Sequence, residues 1–472
     1  MVAEAQPLGI PRSDLAAATI GVERVPDRYR VLGFLDYFVL WADLGVGLLV
    51  LVAGTFLVPG LGFWEAILAI LVGTFIGNVM LGLAGVVGSD HGVPSMVSLR
   101  PSFGQRGSYL PSLINVVQLV GWGAFELFIM AQASARLTQS LLGVSSYSVW
   151  AVVWGIVVVL LALGGPLVVV RQWLEKAGIW IVLATAAWMA LYVASHADFA
   201  LLVNRPGDGS LSFAQAIDLV VAMPSSWLPL VADFNRFARS SRSSFWGTVS
   251  GFAVSNILFY VLGVLLILVL PGSDLIGSIM TIAFGGAGLA LLLGDETDNA
   301  FADVYSGAIS IKNVLPALPT RALVAAIGGV CLAIALTVDL ASFQDFLYLV
   351  GSLFTPLFGV LFADYFILRR RHYVSDDLYP ANGRGRSRGG VNPVALVAWG
   401  CGIAAYLAET TYVGWLGGTL PSLAASLAVY LAASLALERV RTVVYGLTAA
   451  LIVRPIRACR NLLARLPSRR RP

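Results

Sequence analysis

Charge is scarce in this chain. Only 12% of its 472 residues are Asp, Glu, Lys or Arg, 58% are hydrophobic, and mean hydropathy is +0.84, a balance that excludes an ordinary soluble globular domain. Cysteine is nearly absent. Cys331, Cys401 and Cys459 show no ligand spacing, so neither a disulfide framework nor a cysteine metal centre is expected, and they read as small apolar packing residues. The three histidines, His91, His196 and His372, fall at helix ends or in loops. Proton chemistry inside the apolar runs must therefore use carboxylates. The first thirty residues lack a short apolar core before a small-residue cleavage site, and carry Arg12, Arg24, Arg28 and Arg30 with Pro7, Pro11 and Pro26, so no cleaved signal peptide is expected. A net charge of +4 suggests no nucleic-acid partner here, because in a membrane protein arginine placement reports orientation first.

Long hydrophobic runs dominate what remains. About 20 mainly apolar residues are needed to cross a core of about 30 Å, and the sequence supplies twelve such spans. Their approximate limits are 33–57, 64–88, 110–139, 147–170, 177–196, 213–237, 246–270, 275–306, 322–338, 342–368, 393–413 and 419–438. If the N-terminus is cytoplasmic, all 30 Lys and Arg residues except Arg136 and Arg205 lie on the cytoplasmic side or at cytoplasmic helix ends. The expectation is an all-α, multi-pass protein of the inner membrane with both termini inside and the lipid bilayer as its surroundings. Residues 1–32 form a cytoplasmic segment, 33–368 a ten-helix core, 369–392 a basic loop, 393–438 two accessory spans, and 439–472 a basic tail with an interfacial helix near Val443–Val453.

Two spans are interrupted. The first carries Asp43, Leu44, Gly45, Val46 and Gly47, and the sixth carries Pro224, Ser225, Ser226, Trp227, Leu228 and Pro229. Spans one and six are equivalent if the first ten form two halves of five. Five being odd, the halves insert in opposite orientation, and discontinuous helices of such inverted repeats build substrate and ion sites at the midplane.

Polar stripes point into the bundle. In the third span Asn115, Gln118, Trp122 and Glu126 share one helical face. An ionisable group at mid-bilayer costs about 2.5–3.5 kcal/mol on insertion scales, so Glu126 should face the interior. Trp122 offers a flat surface for a planar ring. Glu126, one turn on, offers two acceptor oxygens to the exocyclic amine and protonated ring nitrogen of an aminopyrimidine. The eighth span holds Gly294, Asp295, Glu296, Thr297, Asp298, Asn299 and Asp303. Carboxylates so close must share protons or surround Na⁺, and Asp303 is expected to be solvated near the headgroups. Asp36 is expected to be solvated too, leaving Asp43 at the first break as the contact for a cation or substrate.

These residues resemble the nucleobase:cation symporter-1 family, the cytosine, purine and hydantoin permeases. The resemblance rests on RPSFGQRGSYLPSLINVVQLVGW (Arg100 to Trp122), VADFNRFA (Val231 to Ala238) and TDNAFADVYSGAISIKN (Thr297 to Asn313). LWADLGVG, AGTFLVPGLG and MPSSWLPLVADFNRFA look most like the hydroxymethylpyrimidine permease branch. The resemblance implies an inverted-repeat core of the sodium-coupled amino-acid transporter type with discontinuous helices 1 and 6. By position, Trp122 matches a stacking tryptophan, Glu126 falls where a glutamine commonly contacts substrate, and Asn299 matches a substrate-contacting asparagine. Pro224 stands where relatives usually place a second stacking tryptophan, with Trp227 one turn later. The family's sodium-binding serine and threonine fall at Leu293 and Gly294, so Na⁺ near Gly45, Ala290 and Gly294 competes with H⁺ as the coupling ion.

The expected function is cation-coupled import of a planar nitrogen heterocycle, favouring an aminopyrimidine such as hydroxymethylpyrimidine or cytosine. Purine, hydantoin and other thiamine-precursor substrates are alternatives. Trp122, Glu126, Gln118, Asn299, Ser225, Ser226 and Trp227 would contact substrate; Asp43, Gly45, Asp295, Glu296 and Asp298 would carry the coupling; no organic cofactor is implied. A rival class is a membrane-embedded Mg²⁺-dependent transferase using the Asp295–Asp303 acids, although no second aspartate cluster accompanies them. A passive channel is a third.

Overall fold

The computed structural model describes residues 21–164, 178–270, 275–379 and 390–448. Among them the structure is helical, with a lone β-bridge between Leu32 and Ala238. The first span is two helices, α1 (Phe34–Asp43) and α2 (Leu48–Thr55), bent by 62° at the break. There follow α3 (Phe63–His91), α4 (Tyr109–Leu142), α5 (Tyr147–Gly164) and α6 (Gly178–Ser195). The sixth span is again split, into α7 (Phe213–Trp227) and α8 (Val231–Asn235). After it come α9 (Ser241–Val269), α10 (Leu275–Thr281), α11 (Gly285–Val314), α12 (Thr320–Ala335) and α13 (Phe343–Phe362). Two accessory helices, α14 (Pro393–Ala408) and α15 (Thr419–Thr448), close the order. The core is thus two sets of five spans, each opening on a discontinuous helix.

Two boundaries differ from expectation. Span eight, placed at 275–306, is a short helix α10 and then a long one beginning at Gly285, because Phe284 takes a left-handed turn (φ 58°) ahead of two glycines. The sixth-span break falls at Leu228–Leu230, after Trp227, and not across Pro224–Pro229. Pro224 stays inside α7 because it packs against Gly77 of α3, where a side chain would collide with its ring. Membrane helices tolerate such a proline when neighbours enclose the backbone. The last helix continues unbroken to Thr448. The rest of the expected interfacial helix and basic tail, Cys459, residues 380–389 of the basic loop, and the first twenty residues lie outside the described residues.

Small and polar residues let the helices approach. Gly247 and Gly251 of α9 lie against the backbone of α1, and Gly54 and Gly263 bring α2 and α9 together, the packing expected where lipid provides no hydrophobic drive between helices. Asn235 in the VADFNRFA stretch is a junction. Its Oδ1 accepts from Trp41 Nε1 at 3.0 Å, and its Nδ2 donates to Ser244 at 2.8 Å and Thr248 at 2.9 Å, tying α8 to α1 and α9. Asp218 of α7 accepts from the Gly418 and Thr419 amides. A carboxylate thereby caps the N-terminus of α15 and fastens the accessory pair to the core.

At the end of the bundle that carries the N-terminal segment, residues 21–32 thread between helix ends. Val25 N donates to Gly92 O at 2.7 Å, Leu32 N to Phe237 O at 3.1 Å, and Arg239 N to Leu32 O at 3.0 Å. Arg236, fully buried, donates to Gly21 O at 2.7 Å and to Tyr305 Oη at 3.1 Å. Arg371 pairs with Asp90 at 2.9 Å across the same end.

Candidate functional site

A helix break leaves backbone groups without their intrahelical partners. Between α1 and α2 these are taken up by α11. Asn299 Nδ2 donates to the Val46 carbonyl at 2.7 Å, and Glu296 Oε2 accepts from Leu48 N at 2.8 Å, a carboxylate at the positive end of α2. Glu296, Asn299 and Asp303 follow at steps of three and four and share the α11 face that lies on the break.

Beside this junction lies a narrow cavity of about 20 Å³, so a ring-sized ligand needs its walls to part. Its polar lining comes from Glu126 of α4, Ser226 of α7, and Asn299 and Asp303 of α11. Trp122, Trp227 and Phe252 provide aromatic walls. Trp122 is held edge-on by Phe343 and Phe346, with ring centroids 5.5 and 5.3 Å away, and Trp227 by Trp41 at 5.7 Å. Three buried polar atoms on these residues have no hydrogen-bond partner: Trp122 Nε1, Glu126 Oε2 and Asn299 Oδ1. Buried polar atoms are nearly always paired, so an unpaired convergent set is the signature of a ligand site. No Lys, Arg or His lines the cavity.

The expected substrate residues Trp122, Glu126, Asn299, Ser226 and Trp227 meet here. Two others do not line the cavity. Gln118 turns to α7, donating through Nε2 to the Ser226 carbonyl at 2.7 Å and to Asn115 Oδ1 at 3.2 Å. Ser225 is buried beside the cavity wall with its Oγ unpartnered. Ser225, Ser226 and Trp227 are also the last turn of α7, not the unwound backbone expected of them.

The acids separate into two groups. Glu126 and Glu296 are close neighbours, and two buried carboxyls so placed cannot both be ionised without a counter-charge. Asp43 likewise neighbours Asp298 and Asp295. No Lys, Arg or His acts on these five carboxyls among the described residues. Of the expected sodium contributors, Gly45 lies against Ser255 and the Phe252 carbonyl of α9, Ala290 is exposed, and Gly294 has open space beside it.

Asp303 corrects the sequence reading. It is 5% exposed and lines the cavity instead of facing headgroups. Starting α11 at Gly285 moves it from the end of the span to the middle. Asp36 is half-buried and accepts from Gly33 N at 2.6 Å, capping α1. Phe252, Met223 and Leu230 also line the cavity, and only the four-residue step from Asn299 to Asp303 gave a sequence signal for any of the added members.

Known proteins share this fold. The family described as permease for cytosine/purines, uracil, thiamine, allantoin matches residues 24–430. A hydantoin permease of Microbacterium maritypicum is 23% identical over 422 residues, covering 82% of this chain and 84% of the relative. The cytosine permease of Escherichia coli K12 is 26% identical over 369 residues, covering 77% and 81%. Among solved structures, the nucleobase-cation-symport-1 family transporter Mhp1, closed with bromovinylhydantoin bound, superimposes with TM-score 0.77 at 20% identity, covering 89% of this chain and 96% of its own. A Na⁺-coupled sialic acid symporter in a substrate-bound outward-open state shares the fold more distantly, with TM-score 0.58 at 14% identity over 89% and 94%.

Proposed function

Because the chain belongs to the permease family for cytosine/purines, uracil, thiamine and allantoin, the nucleobase:cation symporter-1 family, we propose that it imports an aminopyrimidine-type heterocycle through the cavity beside the first helix break. It is a permease and not an enzyme, which retires the transferase alternative. The supporting observation is the unpaired set Trp122 Nε1, Glu126 Oε2 and Asn299 Oδ1 between two tryptophan walls. Two acceptors suit the two N–H donors of an aminopyrimidine's exocyclic amine. The Trp122 and Trp227 faces suit its flat ring. Ser226 contributes to the wall, and Gln118 and Ser225 act behind it, Gln118 by fixing the Ser226 carbonyl.

Coupling in this reading is by protons. Asp43, Asp295 and Asp298 at the break, and Glu296 behind Glu126, are carboxyls in mutual contact with no basic partner, so cations must neutralise them. Gly45 then shapes the break. Import follows if the chain lies in the inner membrane with its termini inside, as the arginine distribution supports. Binding of cytosine, hydroxymethylpyrimidine, hypoxanthine and hydantoin to the purified full chain, across pH and with Na⁺ or K⁺, tests the reading. Aminopyrimidines should bind tightest and independently of Na⁺. Hydantoin or purine binding an order of magnitude tighter would overturn the substrate assignment.

A further inference from the structure

One wall of the cavity is left over when a neutral ring is placed in it. Asp303 lies one turn beyond Asn299 on α11, is 5% exposed, lines the cavity, and takes no hydrogen bond from any described residue. Its neighbours are the small or apolar flank of Gly123 and Cys331, and the charged group that acts with it is another acid, Glu126. Two carboxyls therefore face one enclosed space walled by Trp122, Trp227 and Phe252, with no Lys, Arg or His in the lining.

A carboxylate out of water is costly without a counter-charge, and two near each other more so. Aromatic faces beside them add attraction for a desolvated organic cation. A metal ion fits less well, because no group of three or more His, Cys, Asp or Glu among the described residues is arranged to hold one, and most of the wall is apolar. A flat ring bearing positive charge satisfies both carboxyls and both tryptophans together. A neutral ring reads Glu126 and Asn299 and leaves Asp303 without a donor.

We propose that this cavity takes its heterocycle as a cation, with Asp303 the residue that selects for positive charge. The inference rests on the reading of the cavity as the heterocycle site and adds the charge of the bound species to it. Asp303 meets the charge on the ring, while Glu126 reads the amine edge.

The test compares two probes of the same outline on the full chain in lipid nanodiscs: 4-aminopyridine, protonated at neutral pH, and aniline, which stays neutral. The native chain should bind 4-aminopyridine at least about ten-fold more tightly than aniline. Asp303→Asn should bring that ratio toward one, and Asp303→Glu should restore most of it, which distinguishes charge selection from packing. Equal binding of the two probes by the native chain overturns the inference, as does an unchanged ratio in Asp303→Asn. If cytosine binds while the probes show no charge preference, the heterocycle reading stands and this inference falls. If no planar ring binds at all, both fall.

Discussion

Asn299 Nδ2 donates to the Val46 carbonyl at 2.7 Å while Asn299 Oδ1 has no donor of its own. One carboxamide thus fastens the break in the first span and leaves its other end open to the cavity. Substrate binding and helix geometry meet in a single side chain. Asn299→Ala removes both functions, orphaning the Val46 carbonyl at about 1–3 kcal/mol. Substrate affinity measured in nanodiscs should fall at least about ten-fold, and Asn299→Ser should recover part of it. An Asn299→Ala chain with native affinity would remove the asparagine from the site.

Glu126→Gln should weaken aminopyrimidine binding far more than Trp122→Phe. The first change takes away a charged acceptor, worth about 1.5–3 kcal/mol. The second keeps a ring in place and alters an aromatic contact of about 0.5–1.5 kcal/mol. Isothermal titration of both variants decides this, and equal losses would count against the amine-edge pairing.

Asp43, Asp295 and Asp298 in mutual contact predict a direction for pH dependence. If they hold the coupling protons, uptake into vesicles should rise as external pH falls, because loading needs protons. Asp298→Asn should flatten the profile. Exchange of K⁺ for Na⁺ at fixed pH should change uptake less than two-fold. A ten-fold stimulation by Na⁺ with a flat pH profile would show that the acids serve another purpose.

Gly77 and Gly294 provide a contrast in packing. A methyl on Gly77 would enter the Pro224 ring, whereas Gly294 has open space beside it. Overpacking costs about 1–3 kcal/mol, so Gly77→Ala should lower the melting temperature in detergent by several degrees. Gly294→Ala should leave it within about a degree. A stable Gly77→Ala chain would mean that α3 and α7 slide freely at their contact.

Much of this was readable from residues. The run Asp43 to Gly47 announced the first break, because a glycine pair beside an aspartate has little reason to sit in a lipid-facing helix, and the structure breaks between Asp43 and Leu48. Trp122 and Glu126 were legible from helical spacing alone, and both line the cavity. Pro224 misled. A missing N–H suggests an unwound helix, and only the three-dimensional contact with Gly77 reveals why the helix continues. Gln118 lies on the stripe predicted for it but at the level where α7 crosses, a register that helical periodicity does not contain. Asp303 was placed too near the membrane surface because a local left-handed residue, Phe284, delays the start of α11.

The threading of residues 21–32 between helix ends bears on how tightly the carrier is sealed. Its bonds to Gly92, Phe237, Arg236 and Arg239 reach α3, the end of α8 and the start of α9 in one short stretch. None of these helices can swing away without disturbing bonds held by the same strand. Partial separation would expose several backbone groups at once for no gain in contact, so this end is expected to release as a unit. Shortening that segment should therefore raise leak current before it alters transport.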